Sequence, residues 1–102
     1  MTKENIIHIP VLFNDGTQVP ESTHHAFRDR LIYLFGGFSV QQVMGAWRDP
    51  DGKDIIEPMY RFIVAVDGKE NHKMFWSLAK EAKEDFKQQS IYAVINGCVE
   101  FI

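Results

Sequence analysis

The chain has 102 residues, of which 45% are hydrophobic, 13% are aromatic and one is cysteine. That is one globular domain, residues 1–102, with one core; it excludes a disordered chain, a disulfide framework and a cysteine-rich zinc module. Eleven basic against fourteen acidic side chains leave a net charge of −3, which argues against a general nucleic-acid binder.

The opening MTKENIIHIP lacks the apolar stretch of about 7–15 residues of a secretory signal. No run approaches the roughly 18 apolar residues of a membrane span. The expected location is the cytoplasm, with neither membrane nor nucleic acid as partner. Residues 6–13, IIHIPVLF, predict a strand with Ile7, Ile9, Val11 and Phe13 on one face and His8, Pro10 and Leu12 on the other. Pro10 cannot donate to a ladder, so an edge or a bulge is expected there. Asn14-Asp15-Gly16 supplies a turn. From Pro20 or Ser22 to Phe35, the spacing of Phe27, Leu31, Leu34 and Phe35 predicts a helix, closed by Gly36-Gly37 through a left-handed cap.

Residues 38–47, FSVQQVMGAW, read as a strand, with a bulge possible at Gly45. RDPDGKD (48–54) is turn chemistry, and IIEPMYRFIVAV (55–66) is the strongest strand signal, so the two runs form a hairpin. Pro58 marks an edge or bulge at the start of the second strand. After Asp67-Gly68 the period changes to 3.6: Phe75, Leu78, Ala79, Ala82 and Phe86 share a face, predicting a helix from Lys69 or Asn71 to Gln88. Residues 90–102, SIYAVINGCVEFI, are one strand or a hairpin about Asn96-Gly97.

The order β-α-β-β-α-β predicts an α+β, ferredoxin-like sandwich: two helices on one face of an antiparallel sheet, with an extra C-terminal strand possible. The helices cover only one sheet face. Alternation gives Ile56, Pro58, Tyr60, Phe62, Val64 and Val66 to the helix side of the third strand. Ile55, Glu57, Met59, Arg61, Ile63 and Ala65 fall on the open side, joined there by Ile6, His8 and Leu12 of the first strand. An open face this aliphatic predicts self-association, as a dimer of packed sheets or a cyclic trimer.

No metal or cofactor motif is present. His24-His25 is adjacent rather than i, i+3 or i, i+4, so it is no metal pair, and both histidines are expected to be partly exposed. His72 is expected in an exposed first helical turn, and Cys98 as a packed thiol. The candidate ligand site is the central hairpin: Trp47 as a flat wall, Arg48 as an anion clamp, Glu57 and Tyr60 as proton-handling groups, with Arg61 and His8 completing the set. The competing structural reading pairs Arg48 with Glu57 across the hairpin beside a packed tryptophan.

Through Gly36-Gly37, Gly45-Ala46-Trp47 and the acidic Glu57 opening the next strand, the sequence resembles a set of small bacterial and phage proteins. The resemblance implies a compact ferredoxin-like oligomer, similar in layout to PII-like trimers and dimeric α+β-barrel proteins, and carries no catalytic residues. The expected function is a homo-oligomeric binding or regulatory module for a small molecule or a protein partner, without cofactor. The alternatives are a cofactor-free enzyme acting on a small polar or aromatic substrate, and a phage or mobile-element protein that blocks a host factor.

Overall fold

The computed structural model describes residues 1–102. In chain order it holds β1 (Thr2–Pro10), α1 (Glu21–Phe35), β2 (Ser39–Arg48), β3 (Asp54–Asp67), α2 (Lys69–Asp85), β4 (Tyr92–Ile95) and β5 (Cys98–Phe101). The five strands form one antiparallel sheet in the order β2-β3-β1-β4-β5. The first four stand in the ferredoxin-like order, so the expected α+β sandwich is the fold. The extra strand is real: β4 and β5 fold about Asn96 and Gly97, both at positive φ (52° and 83°), as a two-residue primed turn requires.

The sequence pattern explains which face each element buries. Asn5, Ile7 and Ile9 of β1, Phe62, Val64 and Val66 of β3, and Ala93 and Ile95 of β4 are buried against the helices. Helical spacing brings Phe27 and Leu31 of α1 and Phe75, Leu78, Ala79 and Ala82 of α2 down onto them. Helix α1 ends as anticipated, with Gly36 in the left-handed region (φ 89°) and its N–H bonded to the Ile32 carbonyl. A surface ion pair, Arg30 with Glu81, links the two helices.

Pro10 marks a strand limit, whereas Pro58 lies at a sheet edge as expected. Strand β1 is interior, between β3 and β4, and Pro10 is its last residue rather than an edge or bulge. Pairing of β1 with β3 stops at Pro10 opposite Met59. Pro58 therefore closes the stretch of β3, residues 54–58, whose only ladder partner is β2. That stretch and the matching part of β2 run out past the helices as a two-stranded arm on a body 42 Å in its longest dimension. The arm closes on a tight loop in which the Asp49 carboxylate accepts the backbone N–H groups of Asp51 and Lys53, at 3.0 and 2.9 Å. The register is continuous through Gly45, so no bulge forms there.

Two buried histidines depart from expectation. His72 is 7% exposed, because the first turn of α2 lies over the sheet rather than beyond it. Asn5, itself fully buried, meets its ring: Asn5 Nδ2 lies 3.1 Å from His72 Nδ1, while Asn5 Oδ1 accepts the Asn96 N–H at 3.0 Å. One asparagine thereby ties α2 to the β4–β5 turn. His24 is 4% exposed, wedged between Tyr60 and Phe86 at ring distances of 5.2 and 5.3 Å, while His25 is exposed. Conversely Cys98, expected to be packed, is exposed: it opens the edge strand β5 immediately after the turn.

Candidate functional site

The six residues singled out from the sequence fall into three places. Trp47, Arg48 and Glu57 stand on the β2–β3 arm, His8 and Arg61 lie near the middle of the open sheet face, and Tyr60 faces the helices. Alternation separates Tyr60 from Arg61, since neighbours in a strand point to opposite faces. Tyr60 packs edge-on to His24 and against Phe62. It is a wall of the core rather than a partner of Arg61.

On the arm, Trp47 stands opposite Ile55 and Glu57 opposite Gly45, all on the open-face side. The indole Nε1–H donates to Glu57 Oε1 at 3.3 Å. Trp47 is 53% exposed, so its ring offers a flat apolar surface with a carboxylate fixed at its polar edge. The missing side chain of Gly45 leaves the floor beside Glu57 low. A Cβ there would meet only Met59 Cγ at 3.6 Å and the Glu57 carbonyl at 3.8 Å. The expected cross-strand pair of Arg48 with Glu57 does not form. Register puts Arg48 opposite Asp54, and the guanidinium Nε donates to Asp54 Oδ1 at 2.8 Å on the other face of the arm. A shallow depression of about 350 Å³, lined by Ala46, Trp47, Arg48, Asp54 and Ile56, occupies that other face.

At the sheet centre, His8 and Arg61 are direct neighbours in register, and Arg61 Nη1 lies 3.0 Å from His8 Nε2. A guanidinium has donors only, so His8 Nε2 must accept, and the imidazole is neutral in this contact. Burial, and secondarily the Arg61 charge, lower the His8 pKa in agreement with that role. The His8 ring packs on Tyr92 at 4.7 Å, and Tyr92 on Phe101 at 5.7 Å. Tyr92 and Phe101 belong to this face through the same two-residue period in β4 and β5. A fixed register for the C-terminal hairpin would have revealed them from the sequence. No group of three or more histidine, cysteine or acidic side chains is arranged to hold a metal ion.

A second depression, about 400 Å³, lies at the other end of the sheet, where β2 begins beside Phe35, Gly37, Phe38, Ile63 and Glu4. Neither depression is lined by His8, Glu57, Tyr60 or Arg61. What the single chain does assemble is an indole–carboxylate pair on the arm and a guanidinium–imidazole pair on the sheet. Glu57 and Arg61 share the open face of β3 four residues apart, about 13 Å at strand rise.

The architecture is shared with known structures. A phage SAM lyase in complex with S-methyl-5'-thioadenosine superposes with a TM-score of 0.69 and 21% identity, covering 97% of this chain and 85% of the lyase chain. Its apo form gives 0.68 and 24%, covering 95% and 82%. The divalent cation tolerance protein Cut A1 from Thermus thermophilus gives 0.56 and 12%, covering 100% and 81%. At these identities the likeness establishes the fold. No curated protein matches the sequence. Residues 11–101, from the end of β1 through β5, match the model of the family described as Protein of unknown function (DUF3574), and the chain belongs to that family.

Proposed function

We propose that the protein is a homo-oligomeric subunit that binds a small molecule at the arm, with Trp47 stacking on a planar group and Glu57 engaging its polar edge. The observation that carries this reading is the arm itself. A two-stranded ribbon in water is marginally stable, yet this one leaves Met44 63% and Ile56 67% exposed on one face and Trp47 53% exposed on the other. A second copy seated on the Met44–Ile56 face would bury it and brace the ribbon, leaving the Trp47 surface on the opposite face open to a ligand. The ligand to try first is S-methyl-5'-thioadenosine, bound by the phage lyase of the same fold; its purine suits an indole wall.

A second reading is favoured by that same neighbour: a cofactor-free enzyme acting on a sulfur-bearing nucleoside, with Glu57 as the proton-handling group. The phage source of two neighbours supports a role in phage or mobile-element biology. Calorimetric titration with S-methyl-5'-thioadenosine tests the site. Saturable binding to the wild type, weakened about tenfold or more in Trp47→Ala and in Glu57→Gln, is expected. Equal binding to all three proteins would remove the arm as the site. Incubation with S-adenosylmethionine separates the two readings: turnover that depends on Glu57 favours the enzyme, and binding without turnover the binding module.

A further inference from the structure

Arg61 is a cation without a counter-ion. It is half-buried on β3 near the sheet centre, and none of the molecule's ion pairs includes it. On the open face of its own strand, the nearest acidic position is Glu57, four residues away, and Glu4 of β1 stands opposite Ala65, four residues the other way. Each backbone position is about 13 Å off along the strand, and neither carboxylate is paired with the guanidinium. Glu57 is in addition engaged by the Trp47 indole. Arg61 also cannot swing freely. Its Nη1 is held by His8, and His8 is braced by the Tyr92 ring. The contact orients the guanidinium and uses one of its five donors without neutralising it. Met59 and Ile63 flank it on the same face of β3, so whatever covers this surface desolvates the charge. A desolvated guanidinium with no anion is strongly unfavourable.

We propose that Arg61, aimed by neutral His8, is the receptor for the carboxylate of a small-molecule ligand, with Gln41, its cross-strand neighbour on β2, as an additional donor. A second copy of the chain fits less well. A two-fold axis through the middle of the open face would set Arg61 against Arg61, and the row that contains it brings no acid to separate them. A free carboxylate supplies the missing charge in the bidentate geometry that guanidinium prefers, and its apolar body rests on Met59 and Ile63. This deepens the reading of a small-molecule site, on which it rests, because Arg61 and Glu57 share one face of β3 and one ligand spanning about 13 Å reaches both.

The probe is benzoate, with benzyl alcohol as its uncharged counterpart, titrated into the full chain and followed by NMR at the Arg61 Nε–H and the His8 ring. Benzoate is expected to give saturable shifts at both groups, at least about tenfold tighter than benzyl alcohol. Arg61→Gln is expected to remove that preference, and Arg61→Lys to retain part of it. Circular dichroism checks that each variant is folded. Equal affinity for the two probes, a preference that survives in folded Arg61→Gln, or no shift up to about 50 mM benzoate each overturns the proposal. Dissociation of an oligomer in Arg61→Gln without any benzoate preference in the wild type also overturns it, assigning Arg61 to a neighbour's acid instead. Binding of S-methyl-5'-thioadenosine, which has no carboxylate, is read at Trp47 rather than at this pair, so failure of the arm site and failure of the carboxylate receptor are distinguished.

Discussion

At the scale of single residues, the buried polar groups set the sharpest constraints. Asn5 takes a position that alternation reserves for an apolar side chain, two residues before Ile7 on the same face, and serves two elements from there. Replacing it by alanine strands the Asn96 N–H and His72 Nδ1 together. Asn5→Ala is expected to cost about 1–3 kcal/mol, measured by urea unfolding, with the loss concentrated in faster hydrogen exchange of the β4–β5 turn. The two histidines with shifted pKa values give the fold a pH dependence of definite sign. Burial lowers both; Arg61 adds to the effect at His8, and Arg28 adds at His24, opposed there by Glu21 and a backbone hydrogen bond at Val11. A base whose folded pKa lies below its unfolded value binds fewer protons when folded, so stability rises with pH across the interval between the two. Stability is therefore full above the ordinary histidine range near pH 6.5 and declines as pH falls through it toward the lowered folded values. A melting temperature that drops between about pH 7 and pH 5, with a smaller drop in His24→Gln, is expected. A pH-independent melting temperature over that interval would contradict the burial of the His24 ring and the partial burial of His8.

At the scale of elements, glycines separate conformational need from functional need. Gly97 sits at φ 83° in the β4–β5 turn with only Lys3 Nζ near a would-be Cβ, at 3.6 Å. The cost of Gly97→Ala is thus backbone strain, about 1–2 kcal/mol, read by chemical denaturation. Gly45 lies in regular strand with room for a methyl group. Gly45→Ala is expected to preserve or slightly raise stability while weakening ligand binding at Trp47 if the ligand approaches the backbone there; a loss of stability would mean that the strand itself requires the glycine. The elements were the most legible part of the sequence, because each carries its own period. Phe27 to Leu31 and Phe75 to Ala82 mark helices, Phe62 to Val66 marks a strand buried on one side, and Asn-Gly marks the final turn. Legibility stopped at register. Pairing Arg48 with Glu57 assumed a register that the hairpin does not adopt, since it sets Arg48 against Asp54, and grouping Tyr60 with Arg61 in one site set aside the alternation that turns Tyr60 toward the helices. The His8–Arg61 pair and the Asn5–His72 link depend on strands and a helix brought together from 53 and 67 residues apart, which no local pattern encodes.

At the scale of the whole molecule, what remains is the uncovered apolar surface. Two helices cover one face of the sheet body, and neither covers the arm. Met44 and Ile56 occupy the arm's helix-side face, continuous in alternation with Phe62 and Val64 of the core, yet beyond the reach of α1 and α2. Their parity is that of core residues, and the proposed self-association is what would supply the packing that this chain's own helices do not. A second copy is the partner always present at matching concentration, and closed point-group symmetry repeats the contact without exposing a new one. Because Arg61 disfavours centre-to-centre packing of two open faces, arm-to-body contacts in a cyclic assembly fit the charge distribution better than a face-to-face dimer. The double variant Met44→Ser, Ile56→Ser removes apolar surface that is already largely exposed within the subunit, so its effect on subunit folding should stay within about 1 kcal/mol. Light scattering is expected to show the wild type as a defined oligomer and the double variant as a folded monomer. A wild type that remains monomeric at high concentration removes self-association. An oligomer unaffected by the double substitution moves the interface off the arm and onto the exposed edges of β2 and β5.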